Sequence, residues 1–198
     1  LAHTERVLGP IDILINNAGL ENNGRYQEKS PAEITQLIDV NITAPMLLTR
    51  AALPAMIERG RGHVVNLGSL AGKLGLPWGS IYGATKAAII AWSNALSVEL
   101  TETGVSVSVI TPGWVSDTGM FAVHKRRAHP VLGESKPQAV AKAVLKALQT
   151  GAPEIIVNPM PFGPLQAINS VAPGVIRWAM GSLGVNRFLR ETYTKPQG

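Results

Sequence analysis

An α/β chain organised round a parallel sheet is predicted by three features of this sequence. Residues 11–15, 62–67, 105–110 and 154–157 are short apolar runs rich in β-branched side chains, as strands buried on both faces are. Between them lie longer segments whose apolar residues recur at helical spacing. The first three runs close on Asn16-Asn17-Ala18-Gly19, Ser69 and Thr111-Pro112-Gly113, residues suited to the strand ends where open α/β sheets bind ligands. Strands and helices alternating in this way form right-handed βαβ units, so the expectation is a parallel sheet of about four strands.

The chain has 198 residues, 45% of them hydrophobic, enough to bury a core, and 1–198 reads as one domain with 159–198 as its helical tail. With no cysteine it offers no disulfide framework, thiolate nucleophile or zinc-thiolate site, which suits a reducing compartment. No secretory leader pattern and no apolar run of about 18 residues is present, so a cytoplasmic protein is expected. The formal charge is +5, and part of it lies in the patch His124-Lys125-Arg126-Arg127-Ala128-His129. That patch reads as a solvated loop or, alternatively, as a lure for an anionic substrate tail or an acidic carrier. Aromatics make up 5% and no nucleic-acid motif occurs, which argues against nucleic acid as a partner.

In chain order, residues 1–9 look like the last turns of an amphipathic helix stopped at Gly9-Pro10. Ser30-Pro31-Ala32-Glu33 is a capping signature, and the helix it opens runs through Leu37, Ile42 and Met46 to about residue 59. Asn41 interrupts its apolar face, and a buried amide there must be hydrogen-bonded. A second long helix spans 81–100. Residues 119–135 lack periodicity. Ser135-Lys136-Pro137-Gln138 begins another capped helix, with Val140, Ala141, Val144, Leu145 and Leu148 inward and a stop at Gly151. Past Asn158 the prolines multiply, and two short helices are expected around 164–180 and 184–194. This tail could cover an apolar substrate, pack on another subunit or rest on a membrane surface.

Tyr82 and Lys86 are four apart, so a helix stacks them on one face. An ammonium beside a phenol favours the phenolate, which is the tuning a tyrosine needs to act as general acid or base near neutral pH. Ser69, at a strand's carboxyl end, could present its hydroxyl to the same ligand edge. No His and carboxylate cluster has ligand spacing, so no metal is expected.

The ordered set Asn16-Asn17-Ala18-Gly19, Asn41, Ser69, Tyr82-x-x-x-Lys86 and Pro112-Gly113 resembles the short-chain dehydrogenase/reductase family over roughly residues 1–160. The resemblance implies a partial doubly wound, Rossmann-like sheet and NAD- or NADP-dependent interconversion of an alcohol and a ketone. In that likeness Tyr82 moves the proton, Ser69 binds the reacting oxygen, Lys86 tunes Tyr82 and binds the nicotinamide ribose, and Asn41 supports a proton relay. Asn16, Ala18, Gly19, Asn41, Tyr82, Lys86, Pro112, Gly113 and Val115 would line the cofactor. The family's threonine four residues past the Gly is Asp117 here, and one extra loop residue would bring Thr118 into its place. Leu74, Leu76, Trp78, Trp114, Met120 and Phe121 would form an apolar substrate pocket or simply pack the core. A homodimer or homotetramer through the two long helices is the implied assembly.

The resemblance also implies an opening strand and a Thr-Gly-x-x-x-Gly-x-Gly phosphate turn, which this sequence does not contain. About three strands would then be missing from the front of the sheet, the strand at 11–15 would become an exposed apolar edge, and residues 1–198 alone would bind dinucleotide weakly. A non-catalytic binding or oligomerisation module is the alternative to an enzyme. An epimerase or dehydratase fits less well, because the chain is short after Pro112-Gly113.

Overall fold

The β-branched runs do pair. In the computed structural model, which describes residues 1–194, α1 (Ala2–Leu8) leads into β1 (Ile13–Asn16), then α2 (Pro31–Ile38), α3 (Ala44–Glu58) and β2 (Gly62–Leu67). Next come α4 (Ala71–Leu74), α5 (Ser80–Glu99), β3 (Val105–Pro112), β4 (Trp114–Val115), α6 (Gly119–Ala122) and β5 (Glu134–Ser135). The chain continues through α7 (Pro137–Thr150), β6 (Glu154–Val157), α8 (Gly163–Val171), α9 (Pro173–Ser182) and α10 (Val185–Tyr193). The main sheet has the order β1-β2-β3-β6, and every pair is parallel.

Period-two alternation in the buried strands puts the core on both faces. Val64 and Val107 pack with Ala52 and Met56 of α3, while Val65 and Ile110 pack with Ala143 and Ala147 of α7. Ile89 and Ile90 of α5 cover Val109. At the other end β1 pairs on one side only among the described residues, and Ile13 and Ile15 are 50% and 46% exposed, the expected apolar edge.

The capping box at Ser30 forms: the Glu33 N–H donates to Ser30 Oγ at 3.3 Å and the Ser30 N–H to Glu33 Oε2 at 2.8 Å. The helix it starts is not continuous, however. A π-helical turn, Asp39–Thr43, separates α2 from α3, and its extra residue turns the fully buried Asn41 inward. By length and composition the run Pro31–Glu58 would pass for a membrane span. It instead lies against β1, β2 and α5, with Thr49 as well as Asn41 buried.

Four further expectations are revised. Ser135 does not cap α7 but pairs in β5 with β4, and the helix starts from Lys136 with Pro137 in its first turn. The inward residues of α7 are Ala143 and Ala147, with Val140, Val144 and Leu148 partly covered, whereas Ala141 and Leu145 are exposed. Among its described residues the tail holds three helices, not two. Pro173 lacks the N–H that α8 would need to continue and forces Ala172 out of the helical region (φ −142°, ψ 63°). Within 119–135, the basic patch is not simply solvated: Arg126 donates to Thr192 Oγ1 at 3.0 Å, pairs with Glu191 and lies over the Phe188 ring. It thereby fastens α10. Residues 195–198 of the predicted tail lie outside the described residues.

Candidate active site

After β2 the chain stays beside β3, because the N–H of Gly68 donates to the Ile110 carbonyl (2.8 Å) and that of Leu70 to Pro112 (2.9 Å). This holds Ser69 at the carboxyl edge of the sheet. α5 then returns across that edge with Tyr82 and Lys86 on one face. A hydrogen bond joins the Tyr82 and Ser69 side chains, and Lys86 Nζ lies 5.8 Å from the centre of the Tyr82 ring while donating to the Leu67 carbonyl at 2.7 Å. Serine, tyrosine and lysine thus converge on a cleft of about 670 Å³.

Thr118, Pro112, Gly113 and Val115 line this cleft as well. Asp117, ahead of Thr118, sits in the left-handed region (φ 64°), a conformation Asp tolerates. Gly19 fits because there is no room for more: a Cβ there would lie 3.3 Å from Asn41 Oδ1 and from Met120 Cε, and 3.6 Å from Lys86 Nζ.

Four expected cofactor-lining residues, Gly19 among them, do not line the cleft. Asn16 is buried and donates to Asn66 Oδ1 (2.8 Å) and Thr49 Oγ1 (3.2 Å), so its amide ties the sheet to α3, and Asn17 is the asparagine that reaches the cleft. Ala18 is exposed and lines nothing. Asn41 accepts from the Leu20 N–H and donates to the Leu20 carbonyl, both at 2.8 Å, and to Thr85 Oγ1 at 3.0 Å. With both amide hydrogens committed, its side chain clamps the loop after β1 to α5, and Thr85 in turn donates to the Tyr82 carbonyl at 2.8 Å. Asn41 therefore acts at one remove from the cleft.

Leu76, Trp114, Met120 and Phe121 wall the cleft, Leu74 lines a small side cavity, and Trp78 packs near Val185. Two polar residues in the cleft were not foreseen. Glu21 lines it as its sole acidic side chain, bonded to Asn23 and Tyr193, and Tyr193 reaches it from α10, accepting from Trp114 Nε1 at 3.3 Å. Glu21 could have been noticed as the one acid between Ile13 and Gln27, close behind the Asn-Asn-Ala-Gly loop. Nothing in the sequence marks Tyr193.

The electrostatics revise the tyrosine's tuning. Burial raises the Tyr82 hydroxyl above its ordinary value, the Glu21 carboxylate raises it further, and the Ser69 hydrogen bond opposes both. The expected shift toward phenolate is thus outweighed by desolvation. Burial brings Lys86 down to about 8, against the pull of Glu21, and burial raises Glu21 itself. Among the described residues no three His, Asp or Glu side chains gather to hold a metal ion.

An ammonium, a phenol, a threonine hydroxyl and an asparagine amide thus border the cleft alongside Ser69, Tyr193 and the Glu21 carboxylate, while Ile15, Pro112 and Val115 give it apolar walls. This donor set fits a flat ring bearing a carboxamide and a sugar diol, the nicotinamide-ribose half of a dinucleotide.

The sequence pattern of the family described as "short chain dehydrogenase" matches residues 1–128. The "Ketoacyl reductase HetN" of Nostoc sp. is 48% identical over 156 residues, covering 79% of this chain and 54% of that protein. The "Dehydrogenase/reductase SDR family member 7B" of Bos taurus is 34% identical over 182 residues, covering 88% of this chain and 56% of that one. The chain thus spans about half the length of these two relatives. Among solved structures, a short-chain dehydrogenase from Sphingobium yanoikuyae in complex with NADPH superposes with a TM-score of 0.70 at 28% identity, covering 84% of this chain and 65% of that one.

Proposed function

The chain belongs to the short-chain dehydrogenase family, and on that premise we propose that it carries the catalytic half of an NAD- or NADP-dependent oxidoreductase acting on an apolar alcohol or ketone. The observation that carries this reading is the convergence of Ser69, Tyr82 and Lys86 on one mostly apolar cleft. A bound nicotinamide dinucleotide supplies or accepts hydride at the substrate carbon. Lys86 and Tyr82 would hold its ribose, and Thr118 and Asn17 its carboxamide.

The chain's own residues handle the oxygen and its proton. Ser69 donates to the carbonyl oxygen and stabilises the charge that grows there. Tyr82, kept as a phenol by burial, gives its proton to that oxygen in reduction and takes one back in oxidation. Lys86 places a positive charge beside the phenol and limits the cost of ionising it. Leu76, Met120 and Phe121 exclude water and suit an apolar substrate. The support for a binding module without chemistry is weaker, since a surface for docking alone would not need a buried lysine beside a serine-bonded tyrosine.

Tyr82→Phe removes the one proton donor aimed at the substrate while keeping the ring, so kcat in the full-length protein is expected to fall roughly 10²–10⁴-fold with cofactor affinity little changed. NAD(P)H consumption across ketones of graded chain length measures this, and a near-normal kcat would refute the assignment. We also propose assembly through α3 and α5, whose outer faces expose Leu47, Leu48, Ile57 and Val98.

A further inference from the structure

α8 and α9 pack against each other as a hairpin that meets the rest of the chain chiefly at α4 and α10. Phe162 and Ile176 anchor it from the inside, both buried. Its outer side is apolar. Val171 is 85% exposed and Trp178 72%, and Val175 and Leu183 are also exposed. Val175 and Trp178 are three apart on one face of α9.

The charge pattern of this region is one-sided. From residue 155 to residue 190 the chain has no Asp or Glu, and its charged side chains are Arg177, Arg187 and Arg190, all exposed. Arg187 pairs with Glu191, whereas Arg177, next to Trp178, has no acidic partner among the described residues. Exposed aliphatic groups, an interfacial indole and an unanswered guanidinium are what an anionic bilayer accommodates: acyl chains take the first, the headgroup boundary the second, lipid phosphate the third. A second copy of the chain suits this face less well, because a twofold contact would bring the same acid-free surface against itself and leave both Arg177 side chains without a carboxylate.

We propose that the α8–α9 hairpin docks on an anionic lipid surface, with Val175, Trp178 and Leu183 in the interfacial layer and Arg177 at the phosphates. The opposite, inner side of the hairpin adjoins the cleft. Leu165 and Met180, from the hairpin, line the small side cavity together with Leu76 and Trp114, which also wall the main cleft.

Co-sedimentation with vesicles of phosphatidylcholine, with and without phosphatidylserine, tests this without recourse to catalysis. The wild-type protein is expected to partition onto the phosphatidylserine vesicles and to be released by salt. Val175→Asp combined with Trp178→Asp should lose about tenfold or more of that partition, and Arg177→Glu about tenfold on the anionic vesicles alone. All three positions are solvent-exposed, so an unchanged melting temperature serves as the folding control. Failure of the wild type to bind, equal binding by the double aspartate variant, or a dimer that the variant converts to monomer would each overturn the proposal. Because the readout is partition, an enzymatically silent protein that binds vesicles would refute the proposed reaction and leave the docking intact.

Discussion

Glu21 gives the site a sign that Ser69, Tyr82 and Lys86 alone would not have. Its carboxylate raises both Tyr82 and Lys86, so each holds its proton more tightly than its neighbours would otherwise require. Glu21→Gln removes that field. In the oxidation direction of the proposed reaction, where Tyr82 first loses its proton, the rising limb of the pH–rate curve is expected to move to lower pH, and a limb that stays put would show that Tyr82 does not feel the carboxylate. Lys86 makes a separate prediction about stability. Its folded value, about 8, lies below its ordinary 10.5, so between these two the unfolded chain binds a proton that the folded chain does not. Stability should therefore rise with pH across that window, and Lys86→Met should flatten the rise in melting temperature. The Tyr82 and Lys86 pairing was readable as a four-residue helical spacing. The dominance of desolvation over the ammonium was not, because it depends on which distant groups cover the phenol.

At the scale of elements, the catalytic edge depends on close approach of backbones. Gly72, in the short α4 just beyond Ser69, faces α5 so tightly that a Cβ would lie 2.5 Å from the Ala87 nitrogen and 2.6 Å from the Lys86 carbonyl carbon. Gly72→Ala must push α4 away from α5, and with it Ser69 away from Tyr82. The expected cost is about 1–3 kcal/mol of stability together with a lower kcat, read by thermal melts and turnover in parallel; a variant with wild-type values in both would refute the close-approach argument. Element positions were largely legible. The strands at 62–67 and 154–157 lie where their β-branched runs end, and the Ser30 box caps α2 as its four residues imply. The π turn was hidden, since Asn41 marks only a break in an apolar stripe, and whether helix geometry yields there depends on Leu20 and Thr85, the partners its amide finds.

For the molecule as a whole, the four-stranded sheet leaves β1 as an apolar edge. Among the described residues β1 has a strand neighbour on one side only, and its open side, beside exposed Ile13 and Ile15, is a template for pairing with another chain. Residues 1–198 in isolation are expected to self-associate through this edge, and Ile13→Lys should reduce the association seen in sedimentation velocity without lowering the melting temperature; unchanged association would place the contact elsewhere. The parallel sheet and the helical stacking of Tyr82 and Lys86 followed from the sequence alone, because strand pattern, helical period and cap chemistry act over a few residues and leave their mark locally, and the family followed from the resemblance that its ordered motifs carry. Only the tertiary structure decided that Asn16 and Asn41 turn inward, that Arg126 fastens α10, and that Glu21 and Tyr193 share the cleft with Tyr82. Those outcomes depend on burial and on contacts between segments far apart in the chain, and no local pattern encodes either.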